Sequence, residues 1–215
     1  MPRLGRSFLT WQAALWAGGS LALILGALAL VFFTGSPPPG TATVPEATAT
    51  DITYGPGGAP VTMVEYADFQ CEACAQFSPM LASLRAKYGD EVLFVFRFYP
   101  LDYHAYGMLS AQVAYSASLQ GKFWEMHDLL HERQQEWSGA SDAYPYFEAY
   151  ATSLGLDMDK FHEDLNAQAT KDLITRQKAE GSEAGVNHTP WFAVNGSSFV
   201  PKDIDDFEAR IDAGL

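Results

Sequence analysis

Short apolar runs alternate along the chain with longer segments whose apolar residues recur every three or four positions. Val61 to Tyr66 alternates and is β-prone, which predicts a strand. A helix follows from near Cys71 to about Tyr88, with Gly89 as its stop. Val92 to Phe98 is apolar enough for a central strand. From about Tyr103 to Glu180 the period turns helical: Phe123, Met126, Leu129 and Leu130 fall on one helix face, and Phe161, Leu165 and Ile174 keep near-helical spacing. Trp191 to Val194 predicts a third strand, and Asn195-Gly196 a hairpin into Phe199-Val200. Pro201 to Ile211 closes the chain as a helix, with Asp203, Asp205 and Asp206 at its start, where the helix dipole favours negative charge.

Strand, helix and strand in this order make a right-handed parallel crossover. The hairpin extends that sheet in the antiparallel sense. The helical block is too long for a connection, so residues 103–180 are expected to form an inserted subdomain. The fold class is α/β.

Ahead of this domain, Phe8 to Phe33 is an uncharged apolar stretch, and a bilayer span needs about 20 residues. Arg3 and Arg6 precede it, which predicts an N-terminus in the cytoplasm and the rest of the chain outside. Residues 1–35 therefore read as a membrane anchor or signal segment, with the folded domain on the extracytoplasmic side. A signal segment cut near Gly40 to Ala42, leaving a secreted or periplasmic domain, is the alternative. Residues 36–50, rich in Pro, Thr and Ala, read as a linker. Gly55-Pro56-Gly57-Gly58 marks a turn near the start of the folded part at 51.

Of 215 residues, 48% are hydrophobic, enough for one domain with its own core. Arg3 and Arg6 are the only charges before Glu46, so the chain from Glu46 onward carries -15 (-13 − 2), more than the formal net charge of -13 of the whole. Such a surface repels phosphate backbones and excludes nucleic acid as a partner.

The chain has only two cysteines, too few for a disulfide scaffold. They form Cys71-Glu72-Ala73-Cys74, between a strand and a helix. Thiolates, not thiols, attack disulfides, and a helix N-terminus stabilises a thiolate. Cys71 is thus expected to be the exposed, low-pKa nucleophile. Cys74, nearly one turn inside, is placed to resolve the mixed disulfide. A structural disulfide across two residues would stabilise little. A zinc site needs two further ligands, and the five histidines are scattered. His127 and His131 share a helix face, but it is the apolar one, which favours a core or surface role. A copper-binding chaperone is the rival from another class, with Cys71, Cys74 and His188 as a soft ligand set.

The run from Ala59 through Glu65, Phe69 and Gln70 to Cys74 resembles the opening of DsbA-like thiol–disulfide oxidoreductases of the thioredoxin superfamily. Phe96 to Leu101, Gly121 to Asp128, and Gly185-Val186 with Thr189-Pro190-Trp191-Phe192 and Val194-Asn195-Gly196 are similar to later motifs of that family, in the correct order over about residues 51–213. The resemblance implies a thioredoxin fold with an inserted helical subdomain. It implies a cis Pro190, preceded by Thr189, packed against the cysteine pair beside the backbone that pairs with an extended substrate. It also implies a proton-handling role for Glu65, six positions before Cys71; from the residues alone, Glu65 reads equally as an exposed strand carboxylate. The expected function is disulfide exchange with extracytoplasmic protein substrates, oxidation leading and reduction or isomerisation second, with no cofactor. A redox partner must reset the pair, either a quinone-linked oxidase or a thioredoxin-like reductant. The Glu-Ala dipeptide departs from the Pro-His common in strongly oxidising members and leaves the direction of electron flow open.

Overall fold

The computed structural model describes residues 46–215. The expected anchor, residues 1–35, and positions 36–45 of the expected linker lie outside the described residues. No helix among the described residues is long and apolar enough to cross a membrane.

The described chain runs β1 (Ile52–Tyr54), β2 (Val61–Ala67), α1 (Glu72–Tyr88), β3 (Val92–Phe98), then α2 (Gly107–Ser118), α3 (Phe123–Glu132), α4 (Gln134–Trp137), α5 (Tyr144–Ser153), α6 (Met158–Asn166) and α7 (Gln168–Glu183). It closes with β4 (Trp191–Val194), β5 (Ser197–Phe199) and α8 (Ile204–Asp212). One sheet forms, in the order β1-β3-β2-β4-β5. Parallel β2 and β3 are central; β1 joins β3, and β4 joins β2, both antiparallel. All seven residues of β3 are buried, which explains its unbroken apolar run.

One sheet face packs Met63, Phe94 and Phe192 on Leu81 and Leu84 of α1 and Phe207 of α8. The other packs Val64, Tyr66, Val95 and Trp191 on Tyr99 and Val186. A third cluster joins Phe69, Phe96 and Phe98 to Met126, Leu130, Trp137 and Phe147 of the helical insertion. The insertion thus shares its core with the sheet at the end where the cysteines lie.

The structure refines the sequence reading in four places. The three-residue edge strand β1 was not expected, because three residues are too few to show a period. The insertion's helices run from Gly107 to Glu183 rather than 103–180. At the hairpin, Asn195 (φ 46°) and Gly196 (φ 77°) are both left-handed, as a two-residue type I′ turn requires. Val194 therefore pairs with Ser197, and β5 ends at Phe199, leaving Val200 79% exposed. The last helix begins at Ile204, because Asp203 is its N-cap and accepts from the Asp206 N–H at 3.1 Å.

Candidate active site

Cys71 occupies the N-cap of α1 in extended conformation (φ −73°, ψ 119°), and no side-chain capping bond forms there. Its sulfur therefore sits at the positive end of the helix dipole. Both cysteines are free. Cys71 keeps 9% of its surface and Cys74 none, so the cysteine expected to be exposed is mostly covered.

The cover includes the loop before β4. The Thr189–Pro190 bond is cis, as the resemblance implied. The Cys71 thiol donates to the Thr189 carbonyl oxygen at 3.4 Å. The Thr189 hydroxyl is buried beside it and has no hydrogen-bond partner of ordinary geometry. Cys71 is pulled down to about 5, chiefly because the Cys74 thiol donates to its sulfur; burial opposes this, and the Thr189 hydroxyl and the backbone N–H groups of Cys74 and Ala73 reinforce it. Cys74 is pushed the other way, first by burial and then by Cys71 and the nearby Glu65. One sulfur is thus shifted toward the thiolate while the other holds its proton.

Glu65 is buried, with 7% of its surface left, which decides against the exposed-carboxylate reading. It lies between Phe96 and Phe192 of the flanking strands. Burial raises it to about 7, with Arg85 pulling down. A carboxyl balanced there can both give and take a proton near neutrality.

Several residues that shape the site left no local signal in the sequence. Gln134 of α4 donates from Nε2 to the carbonyls of Phe69 (2.7 Å) and Cys71 (2.9 Å). Gln70 binds the Ser138 carbonyl through Nε2 and accepts from the Tyr106 N–H. Asp68 accepts from the backbone N–H groups of Gln70 and Leu101, both at 2.7 Å. Together these bonds pin the segment leading into Cys71 to the helical insertion. Their partners lie more than 30 positions away in most cases, beyond any spacing rule.

His127 and His131 are buried against Phe69, and burial lowers the pKa of both, so they serve the core as neutral rings. His188, the third ligand of the copper alternative, is exposed, with Nδ1 2.7 Å from Asn187 Oδ1. Among the described residues, no three His, Cys, Asp or Glu side chains are grouped to hold a metal ion.

A family model described as Thioredoxin matches residues 47–213. Among solved structures, α-DsbA1 of Wolbachia pipientis superimposes with a TM-score of 0.69 at 23% identity, over 80% of this chain and 94% of that one. The thiol-disulfide exchange protein α-DsbA2 of the same organism gives 0.68 at 19% identity, over 77% and 87%. Among curated proteins, Na(+)/H(+) antiporter NhaA 3 of Salinispora tropica is 41% identical over 147 residues, which is 68% of this chain. The chain spans about a fifth of such relatives, 22% in that case.

Proposed function

The chain belongs to the thioredoxin family and has the DsbA-like fold, and from that premise we propose that it is a thiol–disulfide oxidoreductase acting on extracytoplasmic proteins, with Cys71 as nucleophile and Cys74 as resolving thiol. One observation carries this reading. Two cysteines three residues apart hold opposite thiol states, Cys71 lowered at a helix terminus and Cys74 raised behind it.

In the oxidising direction a substrate thiolate attacks the Cys71 sulfur of the Cys71–Cys74 disulfide. That bond breaks, a mixed disulfide forms on Cys71, and Cys74 leaves with the electron pair. Glu65 protonates the departing thiolate. A second substrate thiolate then attacks the substrate sulfur of the mixed disulfide. The substrate's disulfide forms, and Cys71 leaves as a stabilised thiolate. Two electrons pass to the cysteine pair, so the sulfurs need no cofactor. The backbone at Thr189 and Pro190 lies beside Cys71, where an extended substrate segment can pair with it.

The low Cys71 pKa favours the oxidising direction, because a stabilised thiolate stabilises the reduced form. The apolar stretch Phe8 to Phe33 after Arg3 and Arg6 supports placing the domain outside the cytoplasm, tethered to the membrane. Ion transport is not part of this reading, since the antiporters it matches are about five times longer than the matched part.

The test is a pair of variants. Cys71→Ser abolishes exchange, whereas Cys74→Ser accumulates mixed disulfides on Cys71, read by mass spectrometry. Adducts carried by Cys74 instead would reverse the assignment. The reduction potential in glutathione buffer sets the direction: about −120 to −180 mV marks an oxidase, and a value near −270 mV marks a reductase.

A further inference from the structure

Glu65 borders a cavity of about 10 Å³, at the lower edge of the space one water needs. Its walls are apolar except for Arg85 and the Trp124 indole. Arg85 lies about three turns along α1 from Cys74. It is buried, and it is gripped from the helical insertion. Its Nη2 donates to Asp128 Oδ1 at 3.1 Å, and its guanidinium stacks 4.2 Å from the centre of the Trp124 ring. Asp128 Oδ1 also lies 2.8 Å from His127 Nδ1. Among the described residues, the charged and titratable groups placed about Glu65 come from two helices. Helix α1 brings Cys74 and Arg85, and α3 brings Asp128 and His127 behind Arg85; the flanking strands contribute Phe96 and Phe192.

We propose that Arg85 is a positioning residue for thiol exchange, clamped by Asp128 and Trp124 of the insertion so that its guanidinium sets how readily Glu65 exchanges a proton with Cys74. This rests on the oxidoreductase reading above. When a mixed disulfide is resolved, the Glu65 carboxylate takes the Cys74 proton. The Cys74 thiolate attacks the Cys71 sulfur, the Cys71–Cys74 bond forms, and the bond from Cys71 to the substrate breaks with its electron pair on the substrate sulfur. Arg85 touches neither sulfur. It acts by charge, since a cation beside a carboxylate favours the ionised form. A guanidinium stays protonated throughout the working range, so only its position can vary, and the clamp fixes that position. The opposing influences of burial and Arg85 on the Glu65 titration agree with this geometry.

The experiment follows Glu65 directly, by carboxyl-carbon NMR of the reduced protein against pH, beside the pH profile of mixed-disulfide release. Arg85→Gln raises the Glu65 midpoint by about 1 pH unit and moves the acid limb of the release rate upward with it. Arg85→Lys keeps the cation and restores most of both. Arg85→Met keeps the apolar stem and removes the cation, so it raises the Glu65 midpoint in the same sense, and it serves where Arg85→Gln does not fold. A midpoint unmoved or lowered in Arg85→Gln or Arg85→Met overturns the proposal, because a merely packing role changes stability without changing the titration. If the unaltered protein shows no exchange, the oxidoreductase reading fails while the NMR titration still reports on Arg85. Normal exchange with an unmoved midpoint defeats the Arg85 inference alone.

Discussion

Glu65 and Arg97 sit on the two central strands in adjacent rows of one sheet, Glu65 opposite Phe96 and Tyr66 opposite Arg97. Both are nearly covered, at 7% and 2% exposure. Side chains alternate along a strand, so the two charges face opposite sides. There the likeness ends. The Arg97 guanidinium donates to both carboxylate oxygens of Asp51 (3.0 and 2.8 Å), to the Tyr66 hydroxyl (3.0 Å) and to the Glu46 carbonyl (2.9 Å). Gln177 bridges the cluster, donating to Asp51 and accepting from the Phe98 N–H. Among the described residues Glu65 has no hydrogen bond and no ion pair, only the nearby charge of Arg85. A buried charge with four of its five N–H donors paired is architecture, whereas a buried carboxyl with no hydrogen bond from the described residues is held ready to change its protonation state.

The largest expected effect falls on the satisfied cluster. Asp51→Ala strips Arg97 of its anion in a buried setting, and breaking such a pair costs about 3–5 kcal/mol. Urea unfolding of the reduced protein at pH 7 should show that loss, with the pH profile of thiol exchange unchanged in shape. A shifted profile would mean that the Arg97 side of the sheet also feeds the chemistry, and the contrast would collapse.

Glu65→Gln should do the reverse. In the native state the Glu65 carboxyl rises from an ordinary 4.5 to about 7, so folding favours its protonated form. That contribution is fully present below about pH 4.5 and is lost as pH rises through about 7. Glutamine mimics the neutral acid at every pH. The variant should match the parent near pH 4 and exceed it at pH 8 by about 3 kcal/mol, as 2.5 pKa units imply. Exchange should slow by on the order of 100-fold, since the proton carrier is gone. Equal stability curves with slower exchange would leave Glu65 catalytic but place its pKa near the usual range.

How much of this contrast could be read beforehand depended on distance along the chain. Strands β2, β3 and β4 were legible because apolar runs bounded by turns have few other solutions. The cysteine pair was legible because its spacing, its strand before and its helix after all point to one chemistry. In the sequence Arg85 is one basic residue near the end of α1, and nothing in its surroundings points to Asp128, 43 positions on. Arg97 stood alone in an apolar strand, and its anion lies 46 positions earlier, beside an edge strand too short to predict. Alternation could not settle whether Glu65 faced solvent, because both faces of β2 are covered. Local pattern thus finds elements and a motif, while partners brought together by folding appear only in three dimensions.

A third carboxylate sharpens the comparison at the smallest scale. Glu72 lies between the cysteines, in the first turn of α1, and is exposed beside an open cavity of about 440 Å³ that Arg133 and Gln76 also line. Like Glu65 it is one negative charge near the thiols, but water surrounds it. If burial makes a carboxylate matter, Glu72 must matter little. A full charge at close range through a high effective dielectric would destabilise the Cys71 thiolate slightly, and solvent and salt reduce that further. Glu72→Gln should therefore make the couple more oxidising by no more than about 20 mV, because about 30 mV corresponds to 1.4 kcal/mol for two electrons. The change should fade as salt rises from low to about 1 M, where the screening length falls to about 3 Å. Equilibration with glutathione at both salt concentrations measures it. A shift well beyond that size, or one indifferent to salt, would show that Glu72 acts on Cys71 through a direct contact, and that exposure alone does not separate spectator carboxylates from working ones in this site.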